Sequence, residues 1–170
     1  MRQPLPGDYL VIRTHGLMAQ GIRFGCAIGG TWSPYNHAAI YVGPVDHVPS
    51  IVEANPSGVC VTDLSTYAPE DVIVSRRALS PWERAKITTA ARALVGTPYG
   101  WLDIAALAAV QLRHCPRWLE DRAKRDDRLV CSQVVTTAYA AAGLTVIPGK
   151  DPWAVTPGDL AQQALVDLDA

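Results

Sequence analysis

Arg128-Leu129-Val130-Cys131-Ser132-Gln133-Val134-Val135 follows the most highly charged run of the chain, Glu120-Asp121-Arg122-Ala123-Lys124-Arg125-Asp126-Asp127. From Cys131 onward Val134, Val135, Ala138 and Ala142 recur at helical spacing, and Gly143 stands where a helix ends in the C′ position. A cysteine in the first turn of a buried helix meets unpaired N–H groups and the positive end of the helix dipole. Both favour thiolate over thiol, which makes the sulfur a better nucleophile. Alone, Cys131 would read as a small apolar anchor of a core helix. A histidine far upstream changes that reading.

Outward from this helix, the first half of the chain is strands. Pro6-Gly7-Asp8 is a turn before the β-branched run Tyr9-Leu10-Val11-Ile12-Arg13. Leu17 to Ala27 has helical spacing and stops at Gly29-Gly30, and Thr31 to Asn36 reads as loop. His37 to Val42 is a strand expected to end at Gly43-Pro44, with Pro44 to Pro49 a loop. Ile51-Val52-Glu53-Ala54, Val59 to Leu64 and Val72 to Arg76 follow as short strands, with a tight turn at Asn55-Pro56-Ser57-Gly58. Short strands joined by turns predict an antiparallel meander. Helices follow. Ser80-Pro81-Trp82-Glu83 has serine as N-cap, proline at N1 and glutamate closing a capping box, so a helix should run to about Val95 and end at Gly96. A second should lie between Gly100 and Leu112, then the Cys131 helix, then one starting at Thr156-Pro157-Gly158-Asp159. Strands first and helices after give an α+β fold, an antiparallel sheet packed against helices. With no repeat and no linker, residues 1–170 form one domain.

Composition narrows the function. The chain has 170 residues, 49% hydrophobic and 18% charged, enough for one proper core. A net charge of -1 supplies no electrostatic footprint for nucleic acid or an anionic membrane. The apolar run Trp101 to Val110 carries Asp103 and is too short to span a bilayer. Cys26, Cys60, Cys115 and Cys131 show no CxxC pair and no disulfide-like spacing, and with the histidines they lack metal-ligand spacing. No metal and no cofactor is called for. The opening Met1 to Asp8 lacks the apolar region of a secretory signal, so synthesis in the cytoplasm with reduced thiols is expected.

A cysteine nucleophile needs a base in hydrogen-bond reach and a third group to hold that base. His15, His47 and His114 lie in turn, loop and helix-end contexts and read as exposed or capping residues. His37 instead begins a strand, with Ala39 and Tyr41 on its side and Ala38, Ile40 and Val42 on the other. The next strand carries the buried-looking Glu53, and neighbouring strands lie only ~4.8 Å apart. His37 and Glu53 therefore have the placement of base and orienter.

Asn36-His37-Ala38-Ala39-Ile40-Tyr41-Val42-Gly43, Ile51-Val52-Glu53-Ala54, Leu94-Val95-Gly96-Thr97-Pro98-Tyr99 and Val130-Cys131-Ser132 resemble the NlpC/P60 papain-like cysteine peptidases. The histidine strand comes first and the cysteine helix last, as in the circularly permuted branch of that superfamily. The resemblance covers Pro6 to Gly143. It implies a permuted papain-like (NlpC/P60) fold with the nucleophile at a helix N-terminus: Cys131 as nucleophile, His37 as base, Glu53 as orienter. Tyr99 and Ser132 are implied for the oxyanion or substrate cleft. Gln133 departs from the Gly that usual members carry after Cys-Ser, and Glu53 from their neutral polar residue or histidine.

The implied activity is a thiol hydrolase that cleaves an amide bond through an acyl-enzyme, with peptidoglycan peptide stems as substrate. Without a signal segment, such an enzyme would reach the cell wall by a phage particle, a lysis system, a secretion machine or a fused partner. An acyltransferase, thioesterase or lipid-acting amidase on the same fold is a second reading, for which an apolar cleft is the discriminator. A non-catalytic structural or binding protein is a third, opposed by the joint presence of Cys131, His37 and Glu53.

Overall fold

Alternation of apolar side chains builds a sheet with two buried sides. The computed structural model describes residues 3–15, 33–100, 117, 118, 121 and 128–169. Among these are β1 (Tyr9–Ile12), β2 (His37–Val45), β3 (Val48–Asn55), β4 (Gly58–Asp63) and β5 (Val72–Val74). All pair antiparallel in the order β4-β3-β2-β1-β5. Tyr9, Val11, Ala38, Ile40, Val42, Val52, Ala54 and Val59 join one core cluster with helical residues, whereas Leu10, Ile12, Ala39, Tyr41, Ile51, Val72 and Val74 form a second. Leu64 and Tyr67 pack against the second cluster.

The sheet is not the simple meander that the strand run predicts. β2, β3 and β4 do follow one another, but β5 crosses to the far edge and pairs with β1. Two 3₁₀ turns, Leu64–Thr66 and Pro69–Asp71, make that crossing. The first hairpin is also longer than expected. β2 runs through Gly43-Pro44 and turns at Asp46-His47, which have φ of 49° and 68°. Positive φ at both central residues is the two-residue hairpin turn whose twist matches the strands. Val45 pairs with Val48 beside the turn, so Pro44 pairs with Pro49 at a position where no ladder N–H is required. A bulge between Tyr41 and Gly43 absorbs the extra residue.

Three helices are described: α1 (Pro81–Ala93), α2 (Cys131–Ala140) and α3 (Pro157–Asp169). The capping box at α1 is present: Ser80 N–H donates to Glu83 Oε2 at 2.6 Å and Glu83 N–H to Ser80 Oγ at 3.3 Å. At α3, Thr156 and Asp159 bond reciprocally in the same way, and Lys150 pairs with Asp159. Ile87 and Ala91 of α1 and Val134, Val135, Ala138 and Tyr139 of α2 fill the core over the sheet. Tyr9 and Tyr139 meet edge to face, and Tyr139 Oη donates to the Gly7 carbonyl at 2.9 Å. The expected helices over Leu17–Ala27 and between Gly100 and Leu112 lie outside the described residues, as do Cys26, His114, Cys115 and most of the charged run 120–127. No helix among the described residues is long and apolar enough to cross a membrane.

Candidate active site

Register brings four polar side chains together before any tertiary contact is considered. Glu53 lies opposite Ala39 of β2 and opposite Cys60 of β4. His37, two residues before Ala39, and Thr62, two after Cys60, therefore take the diagonal positions on either side of it. The side chains meet: His37 Nε2 is 2.8 Å from Glu53 Oε2, and Thr62 Oγ1 donates to Glu53 Oε1 at 2.7 Å. From the turn after β4, Tyr67 Oη donates to Glu53 Oε2 at 2.7 Å. Glu53 is only 3% exposed, while the His37 side chain keeps 13%.

Cys131 is the first residue of α2, where N–H groups have no intrahelical acceptor. Val130 precedes it as N-cap without a capping side chain. Gln133 takes over part of that task, its Oε1 accepting the Val130 N–H at 2.9 Å. Gln133 thus ties down the start of the helix that carries Cys131. Cys131 is buried, and its side chain lies near enough to His37 to act on the imidazole. Since Nε2 of His37 is engaged by Glu53, Nδ1 is the nitrogen left for the sulfur.

Electrostatics follow from this packing. Burial opposes a charged imidazole. The neighbouring Cys131, then the hydrogen bond and charge of Glu53, outweigh it and push the His37 pKa up to about 10. Burial likewise opposes a charged Glu53, yet the His37 hydrogen bond and charge, with the Tyr67 and Thr62 hydroxyls, hold that carboxyl below its ordinary range. Tyr67 is driven above the tyrosine range by burial and then by the Glu53 charge, so it remains a donor.

Tyr99 is buried and forms an isolated parallel bridge with Leu129, two residues before Cys131. Leu129 N–H donates to the Pro98 carbonyl and Gly100 N–H to the Leu129 carbonyl, both at 3.1 Å, which fixes the two strands of chain side by side. Burial raises the Tyr99 pKa, and the charge of Cys131 raises it further, which puts the ring within electrostatic reach of the sulfur. Ser132 is fully buried, and its Oγ has no hydrogen-bond partner among the described residues.

Of the sequence-predicted site residues, Cys131, His37 and Glu53 come together, Tyr99 lies close to Cys131, and Ser132 follows it inside the protein. His15 and His47 are exposed, as their turn contexts imply. Thr62 and Tyr67 were not foreseen. Alternation in Val59-Cys60-Val61-Thr62 puts Cys60 and Thr62 on one side of β4, which was a usable signal for Thr62. Tyr67 sits in an irregular crossing between strands, where no periodicity marks it. Among the described residues no three His, Cys, Asp or Glu side chains gather in a way that could hold a metal ion.

No family model matches the chain, and no curated protein matches it. Among solved structures, the fold is similar to that of the metalloprotein yiiX from Escherichia coli O157:H7, DUF1105, with a TM-score of 0.63 and 21% identity. The match covers 90% of this chain and 79% of that one. This chain is an α+β protein with an antiparallel five-stranded sheet, and the likeness to yiiX bears on that fold alone.

Proposed function

We propose that the protein is a cysteine hydrolase that cleaves an amide bond, with Cys131, His37 and Glu53 as nucleophile, base and orienter. One observation carries the reading: His37 Nε2 is bonded at 2.8 Å to the buried Glu53, and the buried Cys131 stands beside the same imidazole. In the reaction the Cys131 sulfur adds to the carbonyl carbon, and the carbonyl π electrons move to oxygen. Collapse breaks the C–N bond, and His37 gives its proton to the leaving amine, leaving a thioester on Cys131. Water then attacks that thioester while His37 takes its proton, and C–S cleavage releases the acid and restores the thiolate–imidazolium pair. The N–H of Cys131, with the Tyr99 hydroxyl, is the donor set for the oxyanion.

The permuted NlpC/P60 resemblance directs the substrate to peptidoglycan peptide stems. A second reading, an acyl-chain amidase or thioesterase, requires an apolar cleft at Cys131; the apolar pocket of about 380 Å³ between Val48, Pro49, Leu64, Tyr67 and Pro69 has neither Cys131 nor His37 in its walls. Incubation with purified peptidoglycan and with acyl-thioesters, with products identified by mass spectrometry, tests both. New stem-peptide termini that are absent with Cys131→Ala support the first reading. Thioester cleavage alone supports the second, and product from a folded Cys131→Ala protein overturns the thiol mechanism.

A further inference from the structure

The Glu53 carboxylate receives more than an orienter requires. Three donors converge on it: His37 and Tyr67 on Oε2, and Thr62 on Oε1. The Thr62 hydroxyl has one proton, and it is committed to Glu53. Its contact with Cys60 Sγ at 3.5 Å must therefore run from the thiol to the hydroxyl oxygen. Cys60 Sγ in turn accepts from Asn55 Nδ2 at 3.0 Å. Asn55 is itself fixed at the β3–β4 turn, where its Oδ1 accepts the Ser57 N–H at 3.0 Å. The hydrogen bonds thus run in one direction, from the turn through Asn55, Cys60 and Thr62 to Glu53. Tyr67 closes the carboxylate from the other side, its ring 6.1 Å from that of His37.

We propose that Tyr67 and Thr62 are positioning residues that hold Glu53 as an ionised acceptor in one orientation, and through it fix the imidazole of His37 toward Cys131. The inference rests on the Cys131–His37–Glu53 reading and adds two residues to it. A carboxylate surrounded only by donors has no acceptor for a proton of its own, so protonating it costs a hydrogen bond as well as a charge. A neutral third residue would accept fewer of these donors, and the Thr62 and Tyr67 hydroxyls would have to turn to accept its N–H or O–H. The charged and titratable groups facing this centre among the described residues are His37 from β2, Cys60 from β4, Tyr67 from the turn after it, and Cys131 from α2.

The test is a titration of the Glu53 carboxyl by carbon NMR in wild type, Tyr67→Phe, Thr62→Val and Thr62→Ser, none of which needs turnover. The wild-type midpoint should lie below 4.5. Tyr67→Phe and Thr62→Val should each raise it by about one pH unit, the scale of one lost hydrogen bond to a charged group. Thr62→Ser should restore the wild-type value. Where the protein unfolds before the carboxyl titrates, the same shift appears as a higher acid-unfolding midpoint. The acid limb of Cys131 alkylation should move upward in the same two variants. Midpoints unmoved in folded Tyr67→Phe, which keeps the ring and decides the matter if Thr62→Val does not fold, would overturn the clamp. Activity in Cys131→Ala would instead defeat the hydrolase reading, with the carboxyl titration unaffected.

Discussion

His37 concentrates the physical argument in one side chain. Its folded pKa of about 10 lies above the ordinary 6.5, so the proton is bound more tightly in the folded protein. The linked stability is fully present below pH 6.5 and is lost as pH rises through about 10. Wild type should therefore lose stability between these limits, and His37→Ala should lose less, as measured by urea unfolding at intervals of pH. Glu53→Gln is the sharper substitution. All three Glu53 partners donate to the carboxylate, so an amide there loses the charge and one acceptor oxygen, and a hydroxyl must turn to accept its N–H. Turnover should fall by roughly a hundredfold or more and stability by about 1–3 kcal/mol, read by peptide release and by denaturation. His37 and Cys131 were legible in the sequence because each sits at the first position of a strongly patterned element. Glu53 was legible because it is a carboxylate inside the apolar run Ile51-Val52-Glu53-Ala54, on the strand that follows the histidine strand. Tyr67 was not, because a residue in an irregular crossing has no period to betray its direction.

At the scale of elements, the Cys131 helix depends on a cap that is not where capping residues usually sit. Val130 offers no side-chain acceptor, and Gln133 reaches back to its N–H instead. Gln133→Ala should cost about 1 kcal/mol and lower turnover by loosening Cys131, whereas Gln133→Glu should keep the acceptor and most of both. The sheet edge gives a second test. Gly58 has φ of 119°, and a Cβ there would lie 2.8 Å from the Thr97 carbonyl oxygen. That approach lets Val59 N–H donate to Thr97 and Gly96 N–H to Val59, joining β4 to the segment that carries Tyr99. Gly58→Ala should cost roughly 2–3 kcal/mol, and Gly143→Ala, which meets open space, about 1 kcal/mol; equal losses in equilibrium unfolding would contradict this. Helix starts were readable because Ser80-Pro81 and Thr156-Pro157 advertise capping chemistry in the local sequence. The long hairpin was not, because Gly43-Pro44 resembles a turn and the actual turn uses Asp46-His47, neither of them glycine.

Across the whole molecule, strands and helices are joined by a few buried polar links as well as by the core. Asp8, fully buried before β1, accepts from Arg84 of α1 at 2.8 Å and from the Leu5 N–H at 2.9 Å. Arg84→Ala would strand that carboxylate, so a loss of about 3 kcal/mol is expected, partly recovered when Asp8→Asn is added; chemical denaturation of the single and double variants reads it directly. The α+β class was visible in the order of strands and helices, because each element buries a side with its own period. The return of β5 to the far edge was not, because pairing across the sheet is decided by which edge the crossing can cover, and the crossing itself has no pattern. Packing of α2 against β2 and β3 is what brings residue 131 toward residue 37. The most direct measurement is mass spectrometry of the intact protein during turnover of a peptidoglycan stem peptide. The expected result is a hydroxylamine-labile acyl adduct on the Cys131 peptide, absent with Cys131→Ala and prolonged when deacylation is slowed by acid. Product accumulating with no adduct, or an adduct on any other residue, would contradict the hydrolase reading.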